Sequence, residues 1–372
     1  YASLGHASLY WTSTTNAGVS AWYRTYRTDR GSVGRFFGWN NYGFAVRCVK
    51  EPITYHLQLD YSPENAGNVS GAGDYTEGEQ VNISAASNPG WRFLEWTGDV
   101  DYLVDPTVPN NSVIMPSYDI SLTATFIEGE IVYGDGVTDI EGNAYLTVII
   151  GEQEWMASNL RVTQYNNGDP ITPLKSTEEQ MTAEEGVYAI YPHDNVSGID
   201  SPEEMAAAYG MLYNWYAVDD SRGLCPEGWH APTNEEWVEL VNYVEAQGYP
   251  NDYGNPGGAG NALKSCRQVN SPLDGDCNTS EHPRWNLDGT HFGFDEFGFA
   301  ALPGGSSWAD GGFYTIGTSG FWMTETLHSP TSTRTHYMSN YSGKVSPGSA
   351  TKSGFISLRC VRDAAHSTKE SR

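Results

Sequence analysis

The chain has 372 residues, a formal net charge of −26 and 13% aromatic residues, among them 12 Trp and 24 Tyr. The acidity argues against a nucleic-acid partner, the aromatics argue against a disordered chain, and no apolar run is long enough to span a bilayer. With 41 Gly and 19 Pro, turns and short strands are expected in place of long helices, and the length allows two or three domains, each with its own core.

Residues 1–51 read as short strands: "SLYWTST", "SAWYRTYRT", "GRFFGW" and "GFAVRCVK". The phrase "YGFAVRCVKE" (42–51) returns at 353–363 as "SGFISLRCVRD". Cys360 minus Cys48 is an offset of 312, and the same offset lays Gly5 on Gly317, Arg47 on Arg359, and "LYWTST" (9–14) on "FWMTET" (321–326), with a local slip just before the arginines. This is an internal duplication whose first copy is only the final part of a domain. A chain that opens at Tyr1 and not at Met also reads as a processed or partial product. About fifty residues with unpaired strand edges cannot bury a sufficient core. The head is therefore expected to need a partner surface, either an upstream domain fragment or another copy docking by strand addition. It carries six Lys/Arg against two Asp/Glu, a net of +4 that leaves −30 for the rest of the chain. Arg24, Arg27, Arg30 and Arg35 form the candidate assembly surface, with an ordinary solvated strand face as the alternative. Repeated head-to-body docking is heterologous and grows a filament unless its rotation closes a ring.

Residues 53–128 form a compact β unit. "TYHLQLDYSP" alternates outward and inward residues, "GNVSGAGDYTEGEQVNISAASNPGWRFLEWTGDV" supplies hairpins separated by Gly and Asn-Pro turns, and "SVIMPSYDISLTATF" adds two strands. Through "GWRFLEWTGD" (90–99) and the closing "LTATF" (122–126), the segment closely resembles the divergent InlB-type B repeat of bacterial surface proteins. That resemblance implies a small β-rich spacer or adhesion module without catalytic residues.

Residues 130–363 form the largest unit. "VTDIEGNAYLTVIIGEQEWMASNLRVTQYNNGDPI" predicts a hairpin around Glu141-Gly142-Asn143 and a second strand pair. Ser201, Pro202 and Glu204 mark a helix start, a capping box with proline at the first helical position. Thr233 and Glu236 repeat the device, and Trp237, Leu240, Val241 and Val244 then give one buried face before Gly248 ends the helix. The remainder is loop-rich and strand-like, with residues 364–372 expected as a disordered tail.

In this order, "IIGEQEWMASNLRVTQYNNG", "YNWYAV", "LCPEGWHAPTNEEWVEL", "DEFGFAALPGG", "GFWMTET" and "SLRCVRD" resemble the Fibrobacter succinogenes major paralogous domain from about residue 131 to 363, and residues 1–51 resemble its last portion. The resemblance implies a fold like the C-type-lectin-like and formylglycine-generating-enzyme group, with one or two helices on twisted, loop-rich sheets. It also implies an exported, multi-domain surface protein of the kind found in Bacteroidota and Fibrobacterota. The expected fold class is α+β and β-rich: a partial C-type-lectin-like domain (1–51), a small all-β InlB B-repeat-like domain (53–128) and a complete C-type-lectin-like domain (130–363).

Five cysteines without a CxxC or a zinc-spaced Cys/His grouping point to disulfides in an oxidising, extracellular compartment. Cys266 and Cys277 flank the polar loop "RQVNSPLDGD", which suits a local bridge, and Cys225 can then tie to Cys360. Cys48 matches Cys360 without a counterpart to Cys225, so it is left unpaired or intermolecular.

Catalytic constellations are hard to find. "LPGGSSWADGGFYTIGTSG" (302–320) has the Gly-Gly-Ser part of the formylglycine-generating enzymes' segment and no cysteine, hence no thiolate nucleophile or soft metal ligand. No HExxH or GxSxG occurs. Asp295 and Glu296 are adjacent, point to opposite faces if in a strand, and read as turn and capping residues. His230 reads as a hydrogen-bonded structural histidine. Calcium is the one cofactor left open: Asp135, Asp139 and Glu141 sit near one turn, but they lack EF-hand spacing, and a plain hairpin is the preferred reading. "GNPGGAG" (254–260) reads as a flexible loop.

The late region is rich in Ser, Thr, Tyr, His and Asn, a mixture suited to adaptable recognition. In C-type-lectin-like folds it commonly forms the ligand face. Trp308, Tyr314, Trp322, Tyr337, Asn340 and Tyr341 form the candidate binding surface, while Trp322 and Tyr337 read equally well as core. The chain is thus read as a secreted, non-enzymatic structural or adhesive cell-surface protein, a fibre subunit assembling head to body. The competing reading is a surface-anchored module that binds glycan or protein.

Overall fold

The structure is a computed structural model that describes residues 6–16, 18–40, 42–47, 52–88, 90–176, 183–194, 196–273, 275–308 and 310–364. Cys48 and most of the predicted tail lie outside the described residues. Strands hold 40% of the residues and helices 11%, which makes the chain β-rich with a minor helical part. It divides into two compact units, 1–54 and 55–372.

The first unit is an antiparallel sheet of Ala7–Asn16, Ser20–Arg27 and Gly34–Trp39. Ala45 adds a parallel bridge to Tyr10, fixed by Trp11 N to Ala45 O (3.0 Å) and Ala45 N to Leu9 O (3.2 Å). Alternation along the strands sorts the aromatics onto two faces. Trp11, Tyr23 and Phe36 share one face with Phe44, whose ring lies 4.6 Å from both Trp11 and Tyr23. The opposite face carries Tyr10, Trp22, Arg24, Tyr26, Arg35, Phe37 and Trp39. On that face Tyr26, Phe37 and Trp39 are 52%, 62% and 58% exposed.

In the second unit, residues 55–128 pack two sheets face to face. One has the order Gly73–Thr76, Thr54–Ser62, Ile120–Glu128, Trp91–Gly98; the other has the order Gly67–Ser70, Gln80–Ser87, Asn110–Ile114. Alternating residues Val81, Ile83 and Ala85 of one sheet meet Leu122, Ala124 and Phe126 of the other, around Phe93 and Trp96.

The rest of the second unit opens with the predicted hairpin, Val137–Thr138 with Ala144–Tyr145, turned at Gly142 (φ +83°). Its main sheet has seven strands in the order Thr172–Pro173, Val187–Ala189, Leu212–Tyr213, Ile356–Ser357, Ser319–Ser329, Ser332–Ser339, Ser346–Thr351. A smaller sheet joins Thr147–Ile150, Gln153–Met156 and Val361–Asp363. The main sheet lies between two apolar clusters. Trp322 faces one with Trp155, Trp237, Leu240, Phe299 and Met338, and the next residue, Met323, faces the other with Tyr213, Trp215, Ile356 and Leu358.

Both helix starts form where the capping residues predict. Ser201 Oγ accepts from Glu204 N (3.1 Å) at the head of Pro202–Tyr209. Thr233 and Glu236 make the full reciprocal box at the head of Asn234–Ala246, whose Trp237, Leu240, Val241 and Val244 are buried. Among the described residues there are two disulfides. Cys225–Cys360 spans 135 residues and Cys266–Cys277 spans 11.

The duplication in sequence is also one of structure. At the offset of 312, Ala7, Ser20 and Gly34 fall on the first residues of Ser319–Ser329, Ser332–Ser339 and Ser346–Thr351. Leu9↔Thr25 becomes Phe321↔Tyr337, Tyr10↔Arg24 becomes Trp322↔His336, and Arg24↔Arg35 becomes His336↔Pro347. The register breaks between Trp11 and Thr15 as it does between Met323 and Leu327. The Tyr10–Ala45 bridge matches Trp322–Ser357. Even the guanidinium of Arg47 over Tyr10 (5.7 Å) repeats Arg359 over Trp322 (5.7 Å).

Candidate functional site

Buried polar residues of the 130–363 segment form an interior network around Asn159 and Arg359. Asn159 Oδ1 accepts from Trp322 Nε1 (2.9 Å) and from Arg359 Nη2 (3.0 Å) and Nε (3.3 Å), while its Nδ2 donates to Tyr209 O (2.9 Å). Arg359 also donates to Phe299 O. Asp295 sits at φ +49° and accepts from Ala300 N (2.7 Å), and burial pushes its carboxyl up to about 7. Trp322 and Arg359 are fully buried, so the network ties the strand Ser319–Ser329 to the helix Pro202–Tyr209 and to the loops around it.

This corrects the expectation for Trp322. It is a core residue, the reading the sequence equally allowed, because it is 0% exposed and packed with Trp155, Trp237, Phe299 and Met338. Asn340, in the turn after Ser332–Ser339, is corrected too: it is 9% exposed, and its Nδ2 donates inward to Asn286 O and Leu287 O, both at 3.4 Å. The other candidates fall into two groups. Trp308, Phe321 and Tyr337 form a half-buried row, with ring separations of 5.9 and 5.6 Å. Tyr314, in the hairpin beside Trp308, donates its hydroxyl to Asp310 (2.6 Å). Tyr341 stands with a different partner, Tyr253, their rings 6.3 Å apart and 50% and 58% exposed.

Tyr253 escaped the sequence reading because its Gly-rich surroundings look flexible. They are pinned. Gly343 N donates to Tyr253 O (3.1 Å), Gly260 N to Gly343 O (2.7 Å), and Asn251 and Val345 exchange two bonds (3.1 and 2.8 Å). The predicted flexible loop is therefore corrected to a fixed turn leading into the short helix Ala259–Leu263. Gly258 allows the approach, since a Cβ there would meet Gly343 O at 2.4 Å.

Glu296 is not the local capping residue expected. Its Oε2 accepts from Gly90 N (2.6 Å), 206 residues away, and its Oε1 lies 4.0 Å from Arg92 Nε. Arg92 in turn donates to Glu130 O (2.6 Å) and covers Phe297 (4.8 Å). The end of the helix Asn234–Ala246 completes this clamp: Ser87 N bonds Gly248 O (2.8 Å), Ser87 Oγ and Phe93 N bond Gln247 O (2.8 and 2.9 Å), and Tyr249 donates to Trp91 O. Gly248 has φ +94°, and a Cβ there would meet Ser87 Oγ at 2.1 Å. The residue that ends the helix thus also admits the 55–128 module.

The hairpin with the cluster of acids uses them internally. Asp139 accepts from Glu141 N (3.0 Å), Asn143 N (2.9 Å) and Tyr145 OH (2.7 Å), and Glu141 accepts from Thr163 N (3.0 Å). Among the described residues no group of three or more His, Cys, Asp or Glu is placed to hold a metal. His230 bonds Glu236 (2.5 Å), which raises its pKa. In the head, Arg24 and Arg35 stand directly opposite each other on the exposed aromatic face, with Arg35 over Trp22 at 4.3 Å. Arg27 is neutralised by Asp29 (2.9 Å), and Arg30 is exposed. No helix among the described residues is long and apolar enough to cross a membrane.

Residues 57–130 match the divergent InlB B-repeat domain. No curated protein and no solved structure matches the chain. Residues 148–362, more than half of the chain, match the Fibrobacter succinogenes major domain, with the interior network, the Cys225–Cys360 bridge and the main sheet inside the match, and the chain belongs to that family.

Proposed function

We propose that this is a secreted, non-enzymatic structural or adhesive protein of a bacterial cell surface, which assembles through residues 1–54 and in its finer form is a fibre subunit. The observation that carries this reading is the head's exposed face, where Tyr26, Phe37 and Trp39 lie open beside Arg24 and Arg35. Aromatics and arginine are the residue types enriched at protein interfaces. The clamp between residues 87–93 and 247–296 supports the structural part, because it makes two modules one stiff body. The two disulfides support an oxidising, extracytoplasmic location. Helices laid on twisted, loop-rich sheets support a C-type-lectin-like fold for the larger domain. Negative-stain imaging of native material tests the proposal: fibres support it, and monodisperse single chains contradict it.

The Tyr253–Tyr341 pair favours a second reading, a module that grips glycan or protein. Two exposed rings on pinned loops make a platform with little ordering cost. Glycan-array binding that is lost in Tyr253→Ala and Tyr341→Ala supports it; an array without signal contradicts its glycan form.

A further inference from the structure

The chain contains, in its second copy of the sheet, a view of what covers the first. In the complete domain the strip Trp322, His336 and Met338 lies under the helix Asn234–Ala246. Trp237 stacks on His336 (5.1 Å, 8°) and meets Trp322 at 5.8 Å, and Asn234 Oδ1 lies 3.3 Å from His336 Nε2. On the next strand, Ile356–Ser357 pairs antiparallel with Leu212–Tyr213. Tyr10, Arg24 and Tyr26 hold the equivalent places in the head. Tyr26 is 52% exposed where Met338 is 0%, and Val46 is 67% exposed where Leu358 is 0%. Ala45 and Arg47 are exposed where Ser357 and Arg359 are buried. Among the described residues of 1–54, no strand takes the place of Leu212–Tyr213.

We propose that the head is the last part of a domain of the same family and is covered by a segment equivalent to residues 148–318. That segment adds a strand antiparallel to Phe44–Ala45, as Leu212–Tyr213 does to Ile356–Ser357. Its helix lies across Tyr10, Arg24 and Tyr26. Arg24 in the place of His336 suits this cover, because a guanidinium beneath an indole gains a cation–π contact, and the helix seen here carries the acidic Glu235 in its first turn. The complement is not the larger domain of a second copy. There Leu212–Tyr213 is already paired, Trp237 is already covered, and Cys225–Cys360 locks the closing strand in place. The inference rests on the reading of the head as an assembly surface and names what it assembles with.

The test is hydrogen exchange at the amides of Leu9, Tyr23, Thr25 and Ala45 in the full chain, alone and with residues 131–318 fused ahead of Tyr1. A second extension, residues 55–318, carries the module clamped to that segment and covers poor folding of the shorter one. Exchange slowed by about 100-fold or more in either extended chain is the expected result, because the strands pass from an open edge to a packed core. Unchanged exchange in both extended chains overturns the proposal. Polymers of the unextended chain with protected heads also overturn it, while leaving assembly through the head intact. Slow head exchange in an unextended monomer removes both.

Discussion

Replacing Glu296 tests whether the two clamped modules behave as one body. The carboxylate is 5% exposed and Arg92 13%; it accepts the Gly90 amide at 2.6 Å and stands 4.0 Å from the Arg92 guanidinium. A hydrogen bond to a charged group contributes about 1.5–3 kcal/mol, and an orphaned buried donor costs about 1–3 kcal/mol. The ion pair is long, so it adds little beyond this. Glu296→Ala removes the acceptor and leaves Arg92 without its counter-charge, for a loss of about 2 kcal/mol at the interface. Glu296→Gln keeps an acceptor for Gly90 and loses about half as much. The assay is hydrogen exchange at Ser87 and Phe93, whose amides bond Gly248 and Gln247. About 2 kcal/mol corresponds to roughly 30-fold faster exchange in the alanine variant. Burial raises the Glu296 pKa above the ordinary carboxylate range, so the folded state binds more protons there and the wild-type clamp weakens as pH rises through that window. The glutamine variant loses this dependence. Unchanged exchange at Ser87 and Phe93 in Glu296→Ala refutes the clamp.

Trp322→Ala should destabilise the larger domain by about 3–5 kcal/mol, as loss of a fully buried indole does, whereas Tyr341→Ala should stay within about 0.5 kcal/mol of the parent; urea denaturation separates the two. Serine at both Cys225 and Cys360 removes a cross-link spanning 135 residues and should cost about 4–5 kcal/mol by the same assay, more than opening Cys266–Cys277. Lys264 donates to the carbonyls of His291, Ser339 and Ser342 at 2.8–3.1 Å, and burial pushes its amine down to about 7. The unfolded lysine keeps its proton to about 10.4, so stability should rise with pH between these values. That slope should disappear in Lys264→Met in a pH series of unfolding midpoints.

Much of the fold was legible because its signals are local. The caps at Ser201 and Thr233, the buried face of Trp237 to Val244 and the turn at Gly142 each depend on residues a few positions apart. The duplicated register was legible because a single offset of 312 carries nearly all of it, with a local slip only just before the arginines. Burial on the main sheet was not, since alternation names a face and does not say that both faces are packed; for that reason Trp322 stayed open between binding surface and core. Glu296 and Tyr253 were missed because their meaning comes from partners far along the chain: Gly90 for one, and Tyr341 with Gly343 for the other. Residue type alone carries no trace of such a contact.

The central claim is that residues 1–54 repeat a sheet that is packed at 319–357 and uncovered in the head. The same substitution at equivalent positions measures this most directly: Val46→Asp and Leu358→Asp in the full chain, followed by urea denaturation. The first residue is 67% exposed and the second 0%. Val46→Asp should leave the unfolding transitions within about 0.5 kcal/mol of the parent, and Leu358→Asp should lose several kcal/mol by burying an unpaired charge. Equal damage from both would contradict the account.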